Sequence, residues 1–159
     1  MSDYLIKKFN RKLIISQGWA MLLILFSVHC TAQLATYESE IGLGWSSNSV
    51  NTVIFRNSAL TTFKNWQFTA YYDADGKMVL AKRKLSSKEW QKVITPYSGN
   101  VKDAHNSISI AVDADGFLHV SWDQHDTRLR YAKGKTPFSL ELGEQQSMTT
   151  NDEAKVTYP

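Results

Sequence analysis

Two histidines among a set of aspartates, between positions 103 and 126, carry the clearest chemistry in this chain. The segment reads Asp103-Ala104-His105-Asn106, an alternating stretch Ile108–Val112, the turn Asp113-Ala114-Asp115-Gly116, a second stretch Phe117–Trp122, and then Asp123-Gln124-His125-Asp126. An Asp-x-Asp-Gly turn between two alternating stretches predicts a β-hairpin, because Gly supplies the positive φ that the turn needs. A hairpin folds its ends together, so His105 and His125, twenty residues apart in sequence, are expected to be neighbours in space. Imidazole titrates near neutrality, and a carboxylate on one ring nitrogen fixes the tautomer. Two such rings amid Asp103, Asp123 and Asp126 make a centre for proton transfer. Two histidines and a carboxylate are also a conceivable metal set, but the expected chemistry needs no metal.

The elements that must hold these residues read as β throughout. Strand-like runs occur at Val50–Arg56, Trp66–Tyr72, Lys77–Lys84, Trp90–Ile94, Ile108–Val112, Phe117–Trp122 and Leu129–Ala132, separated by Gly, Asn, Asp and Ser. No part of the chain beyond residue 32 sustains a 3.6-residue period over a helix length, so an all-β fold is expected. The turn Asp73-Ala74-Asp75-Gly76 recurs at Asp113–Gly116, offset by 40 residues, with strand pairs of matching character on either side. A repeat of that length built from short strands is the spacing of a β-propeller blade. At about 40 residues per blade, residues 33–159 hold roughly three blades, whereas closed propellers use 4–8. The expectation is the N-terminal portion of a longer propeller, since an open stack leaves an unpaired strand edge. Neither Asp-Ala-Asp-Gly turn has the ligands of a complete calcium loop.

Residues 1–32 read as a secretory signal peptide: a basic head at Lys7, Lys8, Arg11 and Lys12, an apolar run through Trp19 to Val28, and small residues before Gln33. The apolar core is shorter than the ~20 residues of a membrane span. A secreted or periplasmic protein without stable membrane insertion is therefore expected. The leader holds four of the 18 basic and one of the 15 acidic residues, leaving 14 of each in the remainder. The basicity of the whole chain belongs to the leader, so composition gives no support for nucleic-acid binding. The single cysteine, Cys30, also lies in the leader, which excludes a disulfide scaffold and a thiolate metal site beyond it.

The runs Asn51–Arg56, Val79–Leu85, Asp103–Asn106 and Leu118–Asp123 together resemble the BNR-repeat propeller family that contains the ulvan lyases of polysaccharide lyase families 24 and 25. The resemblance extends from about Gly44 to Pro159. It implies a secreted, seven-bladed propeller that degrades ulvan, the sulfated rhamnose–uronate polymer of green algae, by β-elimination. Such a reaction neutralises the uronate carboxylate, removes the C5 proton and protonates the departing O4. Carried over, His105 is the principal acid/base, His125 its partner in positioning or charge stabilisation, and Asn106 a contact to substrate hydroxyls or carboxylate. Gln124 stands where the family often has a further histidine and is taken as a substrate contact. The resemblance assigns no cofactor, although a structural metal in later blades is compatible with it. A tyrosine and an arginine from later blades complete the family's site, and Tyr158 is not assigned that role.

Plainer readings stand beside these. His119 lies mid-strand between Leu118 and Val120 and is read as packed or on a sheet face. Arg128 and Arg130 alternate with Leu129 and would share one strand face; Arg128 is taken as a candidate contact for sulfate or carboxylate, although an ordinary solvated face explains both. Lys82-Arg83-Lys84 reads as a solvated strand, and Trp45, Trp66, Trp90 and Trp122 as packing between blades. Two other functions fit part of the pattern. A sialidase-like glycoside hydrolase wants an arginine triad and a Tyr/Glu pair that these residues do not announce. A non-catalytic polysaccharide-binding module or decayed propeller fragment needs no complete site.

Overall fold

Alternation of apolar and polar side chains decides most of the strands. The computed structural model describes residues 38–52, 58–149 and 151–158. Four strands, β1 (Leu60–Phe63), β2 (Trp66–Tyr72), β3 (Lys77–Lys84) and β4 (Gln91–Ser98), form one antiparallel sheet in sequential order. A second sheet takes β5 (Ile108–Val112), β6 (Leu118–Trp122) and β7 (Tyr131–Lys133), also in sequential order. Up-and-down sheets of three or four short strands are blade-like units. The expected three blades resolve, among the described residues, into these two sheets and a segment after Gly143 that is bridged to the body at Thr127–Val156. Among the described residues, no helix is long and apolar enough to cross a membrane.

One core joins the two sheets. In β6, Leu118, Val120 and Trp122 are buried while His119 and Ser121 alternate to the other face. In β3, Met78, Val79, Leu80 and Ala81 are all buried, the pattern of a strand covered on both faces. Phe68, Tyr72, Met78 and Leu80 of the first sheet meet Ile108, Ile110, Leu118, Val120 and Trp122 of the second. Trp122 is 1% exposed and lies 4.6 Å from the Tyr97 ring. Truncating a buried aromatic of this kind costs about 3–5 kcal/mol.

The two Asp-Ala-Asp-Gly turns are the same device at different places. Asp73 Oδ1 accepts from the backbone N–H groups of Asp75 (3.0 Å) and Lys77 (2.8 Å), and Asp113 Oδ1 does so from Asp115 (3.1 Å) and Phe117 (2.8 Å). Gly76 and Gly116 hold φ of 74° and 90°, which a side chain would strain. The first turn joins the second and third strands of its sheet, the second joins the first and second of its own. Gly76 sits against Gly99 and Val101, whereas Gly116 sits against Phe138. Phe138 in turn packs on Phe63, at the Phe63–Trp66 end of the first sheet. The 40-residue repeat is thus real in local structure and one strand out of phase in architecture.

Three expectations shift. Val50 and Asn51 lie in a 3-10 turn, Ser49–Asn51, and not in a strand; residues 53–56 of that run lie outside the described residues, as does the leader. Asn51 instead uses its side chain to cap the edge, donating to the carbonyls of Trp45 (2.9 Å) and Tyr72 (2.8 Å) and accepting from Tyr72 N–H (2.7 Å). A strand not expected, β1, pairs Leu60–Phe63 with β2. The last strand begins at Tyr131, so Arg128 and Arg130 do not share a strand face.

Candidate active site

Two loops at one end of the sheets build the site. The first, Gly99–Ser107, leaves β4 and enters β5; the second, Asp123–Arg130, leaves β6 and enters β7. Asp123 ties them, accepting from Asn100 N–H (2.7 Å) through Oδ1, donating its own N–H to Ser107 O (3.3 Å), and pairing with Arg130 through Oδ2 (3.2 Å). Arg130 also donates to the carbonyl of Asp123. Asp123 and Asp126 take left-handed backbone conformations, with φ of 57° and 50°, a region that aspartate tolerates better than most residues. They bracket His125 and turn it towards the first loop.

The hairpin delivers what its sequence implies. The rings of His105 and His125 lie 4.1 Å apart, centroid to centroid. Between them Asp103 is shared: its Oδ1 is 2.6 Å from His105 Nδ1 and its Oδ2 is 2.6 Å from His125 Nδ1. Asp103 Oδ1 also accepts from the backbone N–H of His105 (3.0 Å). An ionised carboxylate only accepts, so each Nδ1 carries its proton. Hydrogen bonds from the His125 ring, the His105 backbone and the His105 ring hold the Asp103 carboxyl well below the ordinary carboxylate range. With Nδ1 occupied, Nε2 is the nitrogen that carries a lone pair in each neutral ring, and neither Nε2 has a hydrogen-bond partner among the described residues. Both side chains are over two-fifths exposed, at 45% and 43%. The arrangement is two partly exposed imidazoles on a shared anionic anchor. The three residues also present ligand atoms within 4.8 Å of one another, enough for a divalent ion.

Tyr158, which the sequence reading left unassigned, joins them. Its ring centroid is 5.5 Å from that of His105, on a segment fixed by Tyr158 N–H to Gln124 O (3.0 Å) and by the Thr127–Val156 bridge. His105 therefore has a ring neighbour in both His125 and Tyr158. The signal available in the sequence was only the phenol itself, since the chain returns to the site through an irregular segment with no period to read. Tyr158 also lines an open hollow of about 730 Å3 over the outer face of β5–β7, with Ser109, His119, Ser121 and Met148.

The other expected contacts are placed differently. Asn106 is 5% exposed and donates to Asn100 O (3.2 Å), and Gln124 is fully buried, donating to Ser121 Oγ (2.8 Å) and Arg130 O (3.1 Å). Both amides lie beneath the surface and brace the loops, which corrects the expectation that they meet substrate directly. Their oxygens, with Ser107 Oγ and the Tyr72 hydroxyl, are buried without a partner, a polar layer under the histidines. Burial pushes the Tyr72 phenol and the Asp123 carboxyl up, the latter against the pull of Asn100 N–H and Arg130. Arg128 is exposed at the edge of a hollow of about 470 Å3 with Ser147, Thr149, Asp152 and Glu153. His119 is a tie: Nε2 donates to Asp113 Oδ2 (3.0 Å), and Nδ1 faces the Tyr131 hydroxyl (2.6 Å).

A family model described as "BNR repeat-containing family member" matches residues 66–159. The chain belongs to the BNR repeat-containing family. Solved structures of a polysaccharide lyase, the PL25 ulvan lyase, share its fold: one matches with a TM-score of 0.56 at 17% identity, covering 77% of this chain and 31% of that one. The same lyase bound to -[GlcA(1-4)Rha3S]- matches with a TM-score of 0.56 at 16% identity, again over 77% and 31%. This BNR-repeat chain thus spans about a third of the length of those enzymes. No curated protein matches the sequence. The all-β propeller architecture expected from the strands and the repeat is the architecture found.

Proposed function

We propose that this chain is the N-terminal part of an exported propeller lyase that cleaves an anionic, uronate-containing polysaccharide of the ulvan class by β-elimination, without a cofactor. The observation that carries the reading is Asp103 held between the Nδ1 atoms of His105 and His125. It leaves Nε2 of each ring as the reactive atom, and a neutral imidazole is matched to proton abstraction near pH 7. The fold relation to a lyase seen with a glucuronate–rhamnose sulfate fragment supports the substrate class.

In this mechanism His105 Nε2 takes the proton from C5 of the uronate. The C5–H electron pair forms the C4–C5 double bond as the C4–O4 bond breaks, and O4 receives a proton. Tyr158, beside His105, is the phenol that donates it; after release the His105 imidazolium gives up its proton to solvent and the Tyr158 phenolate takes one back. His125 holds Asp103 from the other side and disperses the positive charge that forms on His105. Asp103 stabilises that charge without itself becoming protonated, because its carboxyl is held far below neutrality. Arg128, an exposed cation, would meet a sulfate or carboxylate of the polymer. Asn106 and Gln124 act from below by holding the two loops.

The test is product analysis with a rhamnose–uronate polymer. The account expects ultraviolet-absorbing unsaturated uronate, lost in His105→Ala with the fold intact. New reducing ends without that absorbance identify hydrolysis, and polymer retained without any cleavage identifies a binding module; either result contradicts the proposal.

A further inference from the structure

The end of the first sheet away from the histidines has a chemistry of its own. β2 runs six residue steps from Trp66 to Tyr72, about 20 Å at a strand's rise. The candidate site lies beyond the Tyr72 end, where Gly76 touches Gly99 and Val101. At the Trp66 end, Trp66 faces Lys84 across the ladder and Lys82 pairs with Gln91. Two tryptophans are framed there by cations: Lys82 Nζ is 5.1 Å and Lys84 Nζ 5.7 Å from the Trp66 ring, and the Arg83 guanidinium is 5.1 Å from the Trp90 ring.

Hydrogen bonds hold Lys82, Arg83 and Trp90 in place. Arg83 donates to Gln67 Oε1 (2.8 Å) and Ser87 O (2.9 Å), Lys82 to Phe138 O (2.6 Å), and the Trp90 indole to Ser39 Oγ (3.0 Å). Burial lowers the Lys82 ammonium from its ordinary value. Between the tryptophans lies a recess of about 190 Å3, walled by Arg83, Lys84, Ser87 and Glu89. Lys84 is exposed and Trp66 and Trp90 are half-exposed. Lys64, Lys82, Arg83, Lys84 and Lys88 lie in the strands and turns of this end, with Glu89 beside them and Glu38 and Glu40 flanking the Ser39 that Trp90 binds.

We infer that this recess is a second, non-catalytic binding site for an anionic polysaccharide. An indole face takes the apolar face of a sugar ring, and flanking Arg and Lys take its sulfate or carboxylate. A neutral glycan would satisfy the indoles and leave the cations unanswered, whereas a simple anion would leave the indoles bare. A charged sugar polymer uses both. The site holds the same polymer class proposed for the histidine centre, so a chain docked here keeps substrate near that centre between cleavages. The inference shares the substrate class of that reading but not its chemistry, and the two fail separately.

Retention of the 159-residue chain in native gels cast with sulfated rhamnose–uronate polymer tests it. Trp90→Ala should weaken retention about fivefold, and the exposed Lys84→Glu about threefold. His105→Ala should leave most of the retention, added salt should weaken it, and gels cast with a neutral glucan should not retard the chain. Circular dichroism melting of Lys84→Glu guards against a folding defect. Wild-type retention in both variants, retention abolished by His105→Ala alone, or equal retention by the neutral glucan overturns the inference. Unsaturated uronate formed by a chain whose retention ignores Lys84→Glu would leave the lyase reading standing and remove this one.

Discussion

Two histidine–aspartate groups sit at opposite ends of the same hairpin, and only one is equipped to react. At the Asp113 end, His119 has both nitrogens committed, Nε2 to Asp113 and Nδ1 to Tyr131, and Lys133 Nζ closes on the same carboxylate at 3.1 Å. At the Asp103 end, a single carboxylate takes Nδ1 from each of two rings and leaves both Nε2 atoms without a hydrogen-bond partner among the described residues. Residue types are nearly the same in the two places. The difference is the count of uncommitted lone pairs: a histidine tied at both nitrogens braces a fold, and one tied at a single nitrogen is oriented to act.

Breaking the comparison at its reactive end should give the largest effect. His105→Ala is expected to lower formation of unsaturated uronate about 100-fold to 10,000-fold, the range for loss of a positioned acid/base, with melting little changed. Next is Asp103→Asn, which keeps size but lets both rings rotate and choose tautomers. Steady-state kinetics should show a fall of about 10-fold to 100-fold, carried in kcat and accompanied by a shifted pH profile. A kcat equal to wild type would show that the shared carboxylate has no part in the reaction.

The structural end should behave in the opposite way. His119→Gln removes the link between Asp113 and Tyr131 and should cost about 1–3 kcal/mol of stability in denaturant unfolding, while product formation stays within about threefold. A loss of activity out of proportion to stability would make His119 part of the site.

The smallest effect is in acid. Asp103 and Asp113 both ionise well below their ordinary value of 3.8, the first chiefly through the His125 and His105 hydrogen bonds and the second chiefly through His119. A carboxyl whose folded pKa is depressed contributes stability that is complete above the unfolded value and lost as the pH falls towards the folded one, because the unfolded chain then takes up the proton first. Melting temperature should therefore drop as the pH goes below about 4, and Asp113→Asn should flatten that drop. Parallel curves for wild type and variant would contradict the assignment.

Much of this was legible in the sequence for identifiable reasons. Alternation marked β2, β5 and β6 and a continuous apolar run marked β3, each within a residue, because each buries one or both faces against a single core. The hairpin logic that placed His105 beside His125 needed only a turn type and two strand lengths. What the sequence hid was decided by long-range packing. Asn106 and Gln124 look like free amides in a loop, yet both are drawn under the surface to satisfy backbone groups. Arg130 looks like a strand residue and instead turns back on Asp123. Tyr158 reaches His105 through the Val156 bridge, more than thirty residues after the hairpin ends at Trp122. The identical turns at Asp73 and Asp113 suggested equivalent places in successive blades, because a turn reports its own backbone and not which pair of strands it joins.

The most direct test of the central claim is the nitrogen-15 NMR spectrum of the histidine rings at neutral pH. The account predicts Nδ1-protonated rings with unprotonated Nε2 for His105 and His125, and for His119 the reverse, with the proton on Nε2 towards Asp113. Nε2-protonated His105 and His125 would contradict it, because neither ring would then present a base to a substrate.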